Sequence, residues 1–233
     1  MWFFTKISVI IPTLNEEEGI EKTIDSIERD YFKKKGWQLE IIIVDGDSKD
    51  KTREIAKNKG AKVIIEKRKG YGRAYKTGIP KASGDIIVTG DADATYPFER
   101  IHSYIQMLID EDLDFITTNR FSELKHGSMS VKHYFGNFIL ATTLRILFLI
   151  NIRDSQSGMW IFKKSALKKI QPIKDFNDGM PFSEEIKIEM FKNKEIKSRE
   201  IPSALYARKG SVKIESFSDG IKNLKFLFYK RVK

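Results

Sequence analysis

The sequence predicts an α/β fold with a doubly wound, mostly parallel sheet. Along the first half of the chain, short runs rich in Ile and Val alternate with segments of helical periodicity, which is typical of strand–helix–strand units. Asp, Asn and Gly follow the first, second and fourth of these apolar runs. Because open α/β sheets bind ligands at the carboxyl ends of their parallel strands, we expect these polar residues to form one site.

The elements of the first half follow from apolar periodicity and from the residues that interrupt it. Apolar residues three and four positions apart, such as Ile20, Ile24 and Ile27, indicate a helix, whereas short Ile and Val runs bounded by Gly, Pro, Asn or Asp indicate strands. Strands are expected at 7–11, 39–44, 63–65, 85–90 and 115–118. Helices are expected at 16–31, 50–59 and 73–81, and again after Pro97.

The second half of the chain is less regular. We expect a polar loop at 122–132, an almost wholly apolar helix at 131–150, a strand at 158–162, helices at 164–170, 183–193 and 219–231, and loop or strand at 203–215. No linker and no internal repeat divides the chain. The sequence therefore predicts one domain over residues 1–215, followed by a basic amphipathic helix over residues 216–233.

Composition limits the chemistry that the chain can perform. The 233 residues include no Cys and only three His, so disulfides and thiolate metal sites are excluded and a metal must bind oxygen or imidazole. The net charge of +10 favours an anionic partner, which could be a nucleic acid, anionic lipid headgroups or a phosphorylated substrate. No apolar stretch has the length of a transmembrane span, so we expect a soluble or peripheral protein.

The most informative motif is Asp91-Ala92-Asp93, which directly follows the apolar run at 85–90. Residues two apart on an extended chain point to the same side, so Asp91 and Asp93 can direct both carboxylates at one point. Two converging carboxylates suit a hard cation, Mg²⁺ or Mn²⁺, which in turn neutralises a diphosphate. The alternative is a solvated acidic turn.

Several motifs in order along the chain resemble the inverting family 2 glycosyltransferases, which have the Rossmann-like, nucleotide-sugar-binding GT-A fold. They are Pro12-Thr13-Leu14-Asn15-Glu16, Ile43-Val44-Asp45, Asp47-Ser48-Lys49-Asp50 and the Asp91–Asp93 motif. Three further stretches are similar to those of dolichyl- or polyprenyl-phosphate sugar synthases: 68–74, Asp154-Ser155-Gln156-Ser157-Gly158 and 206–213. The resemblance extends from about residue 7 to 215.

This resemblance implies a donor site for a nucleotide sugar. Pro12, Asn15 and Glu16 would line the nucleotide pocket, and Asp45, with Asp47 near it, would bind the base or the ribose. The donor site would also include the glycines Gly70 and Gly72, whose backbone the nucleotide approaches, together with Ala92. Asp91 and Asp93 would hold the metal on the donor diphosphate, with Thr95 as a further oxygen ligand.

Two departures from the family pattern leave the donor open. Gly46 follows Asp45 where many relatives have a second acid, and Thr95 stands where mannosyl-phosphate synthases often have Gln. GDP-mannose and a UDP-sugar, such as UDP-glucose or UDP-GlcNAc, are therefore equal candidates.

The acceptor is the second open question. For polyprenyl or dolichyl phosphate, the phosphate is already largely dianionic at neutral pH and needs cations rather than a base; Arg120, Arg208 and Lys213 would position it. A sugar hydroxyl would instead require a carboxylate base, and Glu184 or Glu185 occupies the region where glycan-extending relatives keep one. A basic nucleic-acid-binding protein is the remaining alternative, which the acidic motifs disfavour because acids repel phosphate.

The C-terminal helix carries an apolar stripe and several lysines. Phe217, Ile221, Leu224 and Phe228 recur at helical spacing, so this helix could lie in the headgroup region of a membrane or pack on the domain. A lipid acceptor favours the membrane, and the apolar helix at 131–150 could be a second contact. We therefore expect a peripheral protein on the cytoplasmic face of a membrane.

Overall fold

The computed structural model describes residues 5–211 and 216–232, without the side chains of residues 216 and 217. Seven strands form one sheet in the order β3-β2-β1-β4-β6-β5-β7. Their bounds are β1 (Lys6–Thr13), β2 (Gln38–Asp45), β3 (Lys62–Ile65), β4 (Ile86–Thr89), β5 (Phe115–Leu124), β6 (Trp160–Lys163) and β7 (Ser198–Leu205).

The helices connect these strands on both sides of the sheet. They are α1 (Ile20–Asp25), α2 (Arg29–Lys34), α3 (Thr52–Asn58), α4 (Tyr71–Lys81), α5 (Ile101–Asp110), α6 (Val131–Phe148), α7 (Phe182–Lys192) and α8 (Ser216–Val232). Short 3₁₀ segments cover Phe98–Arg100, Lys164–Lys169 and Ile173–Asp175. Within the described ranges, no helix is both long enough and apolar enough to cross a bilayer.

The pairing of the strands confirms the predicted fold class. Strand β1 pairs in parallel with both β2 and β4, and β2 pairs in parallel with β3. Among the strands of the described residues, β6 is the one that runs antiparallel to its neighbours β4 and β5, and β7 pairs in parallel with β5 at the edge. The carboxyl ends of β1, β2 and β4 therefore share one edge of the sheet, as the sequence predicts.

The core lies on both faces of the sheet because successive strand residues point to opposite faces. Val9 and Ile11 of β1 belong to one apolar cluster, which includes Ile24 of α1 and Ile105 of α5. Ile10 belongs to the other, which includes residues of α4 and α7. This packing fixes β1 and β4 in the middle of the molecule and gives the site at their ends a rigid base.

A third apolar cluster joins α6, α7 and α8. Leu144 and Phe148 of α6 pack with Ile188 of α7 and with Leu227 of α8, which is fully buried. Lys230 of α8 adds an ion pair to Glu185 of α7 at 3.0 Å. One side of α8 thus packs on the domain.

The structure corrects three element boundaries. The single helix expected at 16–31 is wrong, because α1 ends at Asp25 and α2 begins at Arg29; the hydroxyl of Ser26 donates to the carbonyl of Thr23 at this break. The loop expected at 122–132 begins later, since β5 continues to Leu124. Strand β7 begins at Ser198 rather than near 203, because it completes its pairing with β5 along the sheet edge.

Candidate active site

The loops after β1 and β2 are joined by direct hydrogen bonds at the carboxyl edge of the sheet. The backbone N–H of Asn15 donates to Oγ of Ser48 at 2.8 Å, and Oδ1 of Asn15 accepts from the N–H of Lys49 at 2.7 Å. The N–H of Glu16 donates to Oγ1 of Thr52 at 2.7 Å. Pro12 lies opposite Val44 in the parallel register of these strands. The residues expected to line a nucleotide pocket are therefore held in one rigid double loop.

Asp45 is the buried anchor of this double loop. Its carboxylate is inaccessible to solvent and accepts from Oγ1 of Thr13 at 3.1 Å and from the N–H and Oγ of Ser48 at 2.9 and 2.5 Å. Asp47 has a positive φ of 68° and pairs with Lys49 at 2.7 Å and with Arg53 at 3.4 Å. A base or ribose could reach the Asp45 carboxylate only if these contacts rearranged.

The Asp91-Ala92-Asp93 motif forms a tight turn after β4. Oγ1 of Thr23 in α1 donates to the carbonyl of Ala92 and accepts from the N–H of Ala94, each at 3.0 Å. Ala92 itself is buried. Oδ1 of Asp93 accepts from the N–H and the hydroxyl of Thr95 at 3.1 and 2.6 Å. The hydroxyl of Thr95, expected as a metal ligand, thus orients the second carboxylate of the motif.

Arg208 brings the last predicted motif into this site. Its guanidinium donates to Oδ2 of Asp93 at 2.5 Å and to Oε1 of Glu16 at 2.6 Å. The backbone supports this placement, because the N–H of Lys209 donates to the carbonyl of Asp93 at 2.9 Å. Lys213, expected beside it, lies outside the described residues.

Asp91 is an acid of the site whose pKa is shifted. Its desolvation in the site and the neighbouring charge of Asp93 raise its pKa to about 7, although the charge of Arg120 acts in the opposite direction. The hydroxyl of Tyr71, at the first residue of α4, donates to Oδ1 of Asp91 at 3.3 Å. An added cation would favour the ionised form of Asp91, so these two acids suit a metal.

Arg120 is held in a buried ion pair. Its Nε and Nη2 donate to the two carboxylate oxygens of Asp154 at 2.7 and 2.9 Å, and its backbone N–H donates to the same carboxylate at 3.0 Å. Burial alone would raise the pKa of Asp154, but Arg120 outweighs this effect and holds the pKa below its usual range. The guanidinium expected to meet an acceptor phosphate is thus already fixed by Asp154.

The loop at 154–158 carries this ion pair, and Lys187 of α7 holds the loop in place through hydrogen bonds. Nζ of Lys187 donates to the carbonyls of Ser155 and Ser157, each at 2.6 Å, and to Oγ of Ser183 at 3.0 Å. Lys187 is inaccessible to solvent, and its burial lowers its pKa to about 7. Neither Lys187 nor the role of Asp154 is predictable from the sequence, since nothing local marks a helix lysine as buried.

The glycines at the start of α4 pack closely against protein. Space for a Cβ on Gly70 is taken by the carbonyl of Asp178, and on Gly72 by the carbonyl of Asn177 and by Phe182. Gly70 also has a φ of 135°, which residues other than glycine rarely adopt. These glycines therefore bring the start of α4 against residues 177–182, and Gly70 also borders a cavity there.

A family model decides the identity of this domain. The model described as "Glycosyl transferase family 2" matches residues 8–171. The chain belongs to glycosyl transferase family 2. This match covers both the double loop and the Asp91–Asp93 turn, so the resemblance read from the sequence motifs is confirmed.

Two curated relatives of this glycosyltransferase domain are archaeal proteins. The chain is 34% identical over 225 residues to the low-salt glycan biosynthesis hexosyltransferase Agl6 of Haloferax volcanii. This match covers 95% of the chain but only 52% of that protein. The chain is 27% identical over 217 residues to the dolichyl-phosphate hexose transferase of the same organism, covering 93% of the chain and 90% of that protein. The chain therefore spans about half of one relative and most of the other.

Solved structures share the fold. A glucosyl-3-phosphoglycerate synthase from Mycobacterium tuberculosis, in complex with Mn²⁺, UDP and phosphoglyceric acid, superposes with a TM-score of 0.75 at 22% identity, covering 97% of this chain and 78% of that chain. Another structure of that synthase contains Mg²⁺ and UDP, with the same TM-score. The likeness shows that the glycosyltransferase domain has the GT-A fold.

The acids of the glycosyltransferase domain fit a metal that is shared with a diphosphate. Within the described ranges, no three His, Asp or Glu side chains come together as a complete metal site. Mg²⁺ in such sites commonly takes one or two carboxylates and completes its shell with phosphates and water. Asp91 and Asp93 meet that requirement as oxygen donors at a strand end.

The two acids expected as alternative bases are both engaged in the interior. Glu185 accepts from the N–H of Asn177 at 2.7 Å and pairs with Lys230. Glu184 is inaccessible to solvent, accepts from Nε2 of Gln156 at 2.6 Å, and has its pKa raised by burial to about 8. Neither carboxylate resembles a base that is open to a sugar hydroxyl.

Proposed function

We propose that this chain transfers a sugar from a nucleotide sugar to the phosphate of a polyprenyl or dolichyl lipid, with inversion and with a divalent cation. The observation that carries this proposal is the cluster of Asp91, Asp93, Glu16 and Arg208 at the carboxyl edge of the sheet. It combines carboxylates for a metal with a guanidinium for a phosphate. The name of one archaeal relative, the dolichyl-phosphate hexose transferase, supports a lipid-phosphate acceptor.

The chemistry requires that one bond breaks and one forms at the anomeric carbon. An oxygen of the acceptor phosphate attacks that carbon from the side opposite the nucleoside diphosphate, which leaves with the electron pair of the broken C–O bond. Mg²⁺ or Mn²⁺, when bound, supplies Lewis-acid stabilisation of that leaving group. Asp91 and Asp93 would hold the cation, and the Thr95 hydroxyl, which donates to Oδ1 of Asp93, fixes the position of that carboxylate.

Arg208 is the cation best placed to receive a phosphate group. Its two nitrogens are held by Asp93 and Glu16, but its side chain remains 22% exposed. Arg120 contributes its positive charge near Asp91 while it stays paired with Asp154. Because a phosphate monoester is largely dianionic at neutral pH, no general base is needed. The buried environments of Glu184 and Glu185 agree with a reaction that does not use them.

The lipid acceptor implies a membrane surface, and α6 offers an apolar one. Val131, Phe135 and Phe138 in its first half are 84, 63 and 55% exposed. On α8, Phe228 and Val232 are 54 and 85% exposed, although Leu227 of the same helix packs inward. Contiguous exposed apolar residues of this kind are typical of contact surfaces. We propose that the protein docks peripherally on anionic membranes through α6 and the outer side of α8.

A donor and acceptor screen tests the proposed function. The purified protein is incubated with radiolabelled GDP-mannose, UDP-glucose or UDP-GlcNAc and with a polyprenyl phosphate, with Mn²⁺, with Mg²⁺ or with EDTA. We expect one sugar to enter an organic-extractable, mild-acid-labile product, and EDTA to abolish its formation. Transfer only to a sugar hydroxyl, or equal transfer in EDTA, would contradict the proposal. Nucleic acid is not expected to bind in competition with the donor.

A further inference from the structure

A cavity of about 570 Å³ lies between the start of α4, residues 177–181 and α8. Its volume is within the range of about 300–1,000 Å³ that is typical of small-molecule sites. Gly70 and Tyr71 form the wall on the side of α4, and Lys222 and Lys225 are among the residues that α8 contributes. This cavity was not part of the predicted donor site, apart from the backbone of Gly70.

The cavity combines a cationic part with an apolar part. Lys222 and Lys225 supply positive charge, of which one is offset by Asp219, 3.0 Å from Nζ of Lys222. The apolar lining comes from side chains on both sides: Met180, Pro181, Phe226 and Tyr229. An amphiphile with an anionic head and a hydrocarbon tail matches this lining.

The cavity is connected to Asp91 through Tyr71. Tyr71, which lines it, donates its hydroxyl to Oδ1 of Asp91. The opposite wall is fixed to the site as well, because Nδ2 of Asn223 in α8 donates to Oε1 of Gln156 at 2.8 Å. Gln156 belongs to the 154–158 loop that holds Arg120 through Asp154. A molecule in the cavity would therefore contact Tyr71, the hydrogen-bond partner of Asp91, on one side and a cationic helix on the other.

We propose that this cavity is the acceptor site: Lys222 and Lys225 attract the phosphate of a polyprenyl phosphate toward the reaction centre, where Arg208 receives it, and Phe226 and Tyr229 contact the first isoprene units. This inference rests on the proposed function and names the place where its acceptor binds. The outer side of α8 carries the exposed Ile221 and Phe228, so the same helix joins the apolar surface to the cavity. A lipid phosphate could reach Asp91 from a membrane along α8.

Charge reversal with a matched control tests the acceptor site. Lys222→Glu and Lys225→Glu change charges that line the cavity, whereas Arg231→Glu makes the same change on a residue of α8 that is likewise exposed but does not line it. The acceptor is farnesyl phosphate, which is short and water-soluble, so membrane binding does not enter the measurement. We expect each cavity variant to raise the acceptor KM roughly tenfold or more, as loss of charged hydrogen bonds does, with the donor KM unchanged.

The controls separate this inference from the proposed function. The acceptor-site proposal would be overturned if the wild type transfers sugar and both cavity variants have the same acceptor KM as Arg231→Glu. The proposed function would remain. If the wild type transfers no sugar to any prenyl phosphate, the proposed function fails. Direct titration with farnesyl phosphate, farnesol and inorganic phosphate then tests whether the cavity binds the acceptor. Binding of farnesyl phosphate that weakens in Lys225→Glu supports the acceptor site, and absence of binding overturns it. Lys225→Gln provides a milder variant if the Glu variants fold poorly.

Discussion

Nη1 of Arg208 donates to Oδ2 of Asp93 at 2.5 Å, across 115 positions of sequence. The other terminal nitrogen of the same guanidinium reaches Glu16, so one side chain joins the loop after β1, the turn after β4 and the segment after β7. Both carboxylates are nearly inaccessible to solvent. Asp93 and Glu16 are buried acids that lie close to one another, and such a pair requires a positive charge beside it. The guanidinium of Arg208 supplies this charge. We propose that Asp91 and Asp93 remain in position to bind a divalent metal ion as a second cation.

Removing either acid of the Asp91–Asp93 turn should abolish transfer. Asp91→Asn and Asp93→Asn keep the shape of the side chain but remove the charge that we propose holds Mg²⁺ or Mn²⁺. We expect a loss of at least about 10²-fold in kcat, because metal stabilisation of the leaving group contributes several kcal/mol. The measurement is the transfer rate against metal concentration, together with metal-dependent binding of UDP and GDP by calorimetry.

Asp30→Asn is the matched control, since Asp30 is an exposed acid on α2 away from the site. Its rate and metal dependence should equal those of the wild type. Full activity in Asp91→Asn or Asp93→Asn at saturating metal would exclude the metal assignment.

Arg208→Ala should impair both stability and acceptor use. The substitution leaves Asp93 and Glu16 without the guanidinium that bridges them, and loss of such charged hydrogen bonds costs about 1.5–3 kcal/mol. We expect a lower melting temperature and a strongly raised acceptor KM. Arg208→Lys should recover only part of either effect, because an ammonium cannot reproduce the forked geometry of a guanidinium.

The comparison with Arg199→Ala shows whether the effect belongs to the site. Arg199, near the start of β7, forms a half-exposed ion pair with Glu111, which follows α5. This pair lies at the end of β7 opposite the segment that carries Arg208, and exposed ion pairs contribute little to stability. An Arg208→Ala protein that melts and binds acceptor like Arg199→Ala would refute the bridging role.

The fold could be predicted because its signals are local. The Ile and Val runs of β1, β2 and β4 and the polar residues that follow them identify both the parallel strands and the edge where they end. Asp91, Asp93 and Arg208 could be selected from motifs, and the structure brings them together. The break between α1 and α2 was missed because Ile20, Ile24 and Ile27 keep helical spacing across it.

The supporting network could not be predicted because it depends on long-range burial. Arg120 and Asp154 lie 34 positions apart and meet only through the sheet. Lys187 is buried on α7, where Ser183 and Glu184 are buried too, so this helix lacks the polar side by which an exposed lysine is normally placed. In helix α8, too, the burial of single side chains could not be predicted. The apolar stripe in its sequence does not reveal that Leu227 packs inward while Phe228 stays exposed. The side chain of Phe217 lies outside the described residues.

Glu184→Gln should change the pH dependence of stability. Burial raises the pKa of Glu184 from 4.5 to about 8, so between these values the folded protein keeps a proton that the unfolded chain releases. Stability conferred by this group is therefore fully present below pH 4.5 and falls as the pH rises toward 8, by on the order of 1.4 kcal/mol per pH unit at most. The melting temperature of Glu184→Gln, relative to wild type, should rise between pH 5 and 8.

The groups that face Glu184 set the design of this test. Gln156 donates to it, and the charge of Lys187 acts to lower its pKa. Lys187 has a depressed pKa of its own and contributes in the opposite direction above pH 7. It is present in both proteins of the comparison, and Glu184→Gln removes a charge that raises the pKa of Lys187. Glu195→Gln, at an exposed residue, serves as control and should follow the wild-type profile. A constant difference between Glu184→Gln and wild type across pH 5–8 would show that the carboxyl is ionised throughout.

The same variant distinguishes the two acceptor classes. If the acceptor is a phosphate, Glu184→Gln and Glu185→Gln should retain kcat within a few-fold once protein folding is verified. A general base contributes about 10²–10⁴-fold, so a loss of that size in one variant would favour a sugar hydroxyl as acceptor. The Glu185 variant also loses its ion pair with Lys230, and its melting temperature must be measured before its rate is interpreted.

Exposed apolar residues of α6 and α8 should bind the protein to anionic membranes. Deleting α8 would not test this cleanly, because the deletion removes the buried Leu227 and the ion pairs of Lys230 with Glu185 and Glu189. Point variants of exposed side chains avoid that problem. Phe135→Ser, Phe138→Ser and Phe228→Ser together should release the protein from anionic liposomes in co-sedimentation, with little change in melting temperature, since exposed side chains contribute little packing.

Ile65→Ser is the matched control for membrane binding. Ile65 is 50% exposed but lies on β3, at the opposite edge of the sheet from β7, so its loss should leave co-sedimentation unchanged. Binding by the wild type should weaken with salt, because basic residues near the surface attract anionic headgroups over about one Debye length. If the triple variant pellets with anionic liposomes as fully as the wild type and Ile65→Ser do, α6 and α8 are not the membrane contact. If the triple variant is released, the membrane lies against α6 and α8, beside the cavity that Lys222 and Lys225 line.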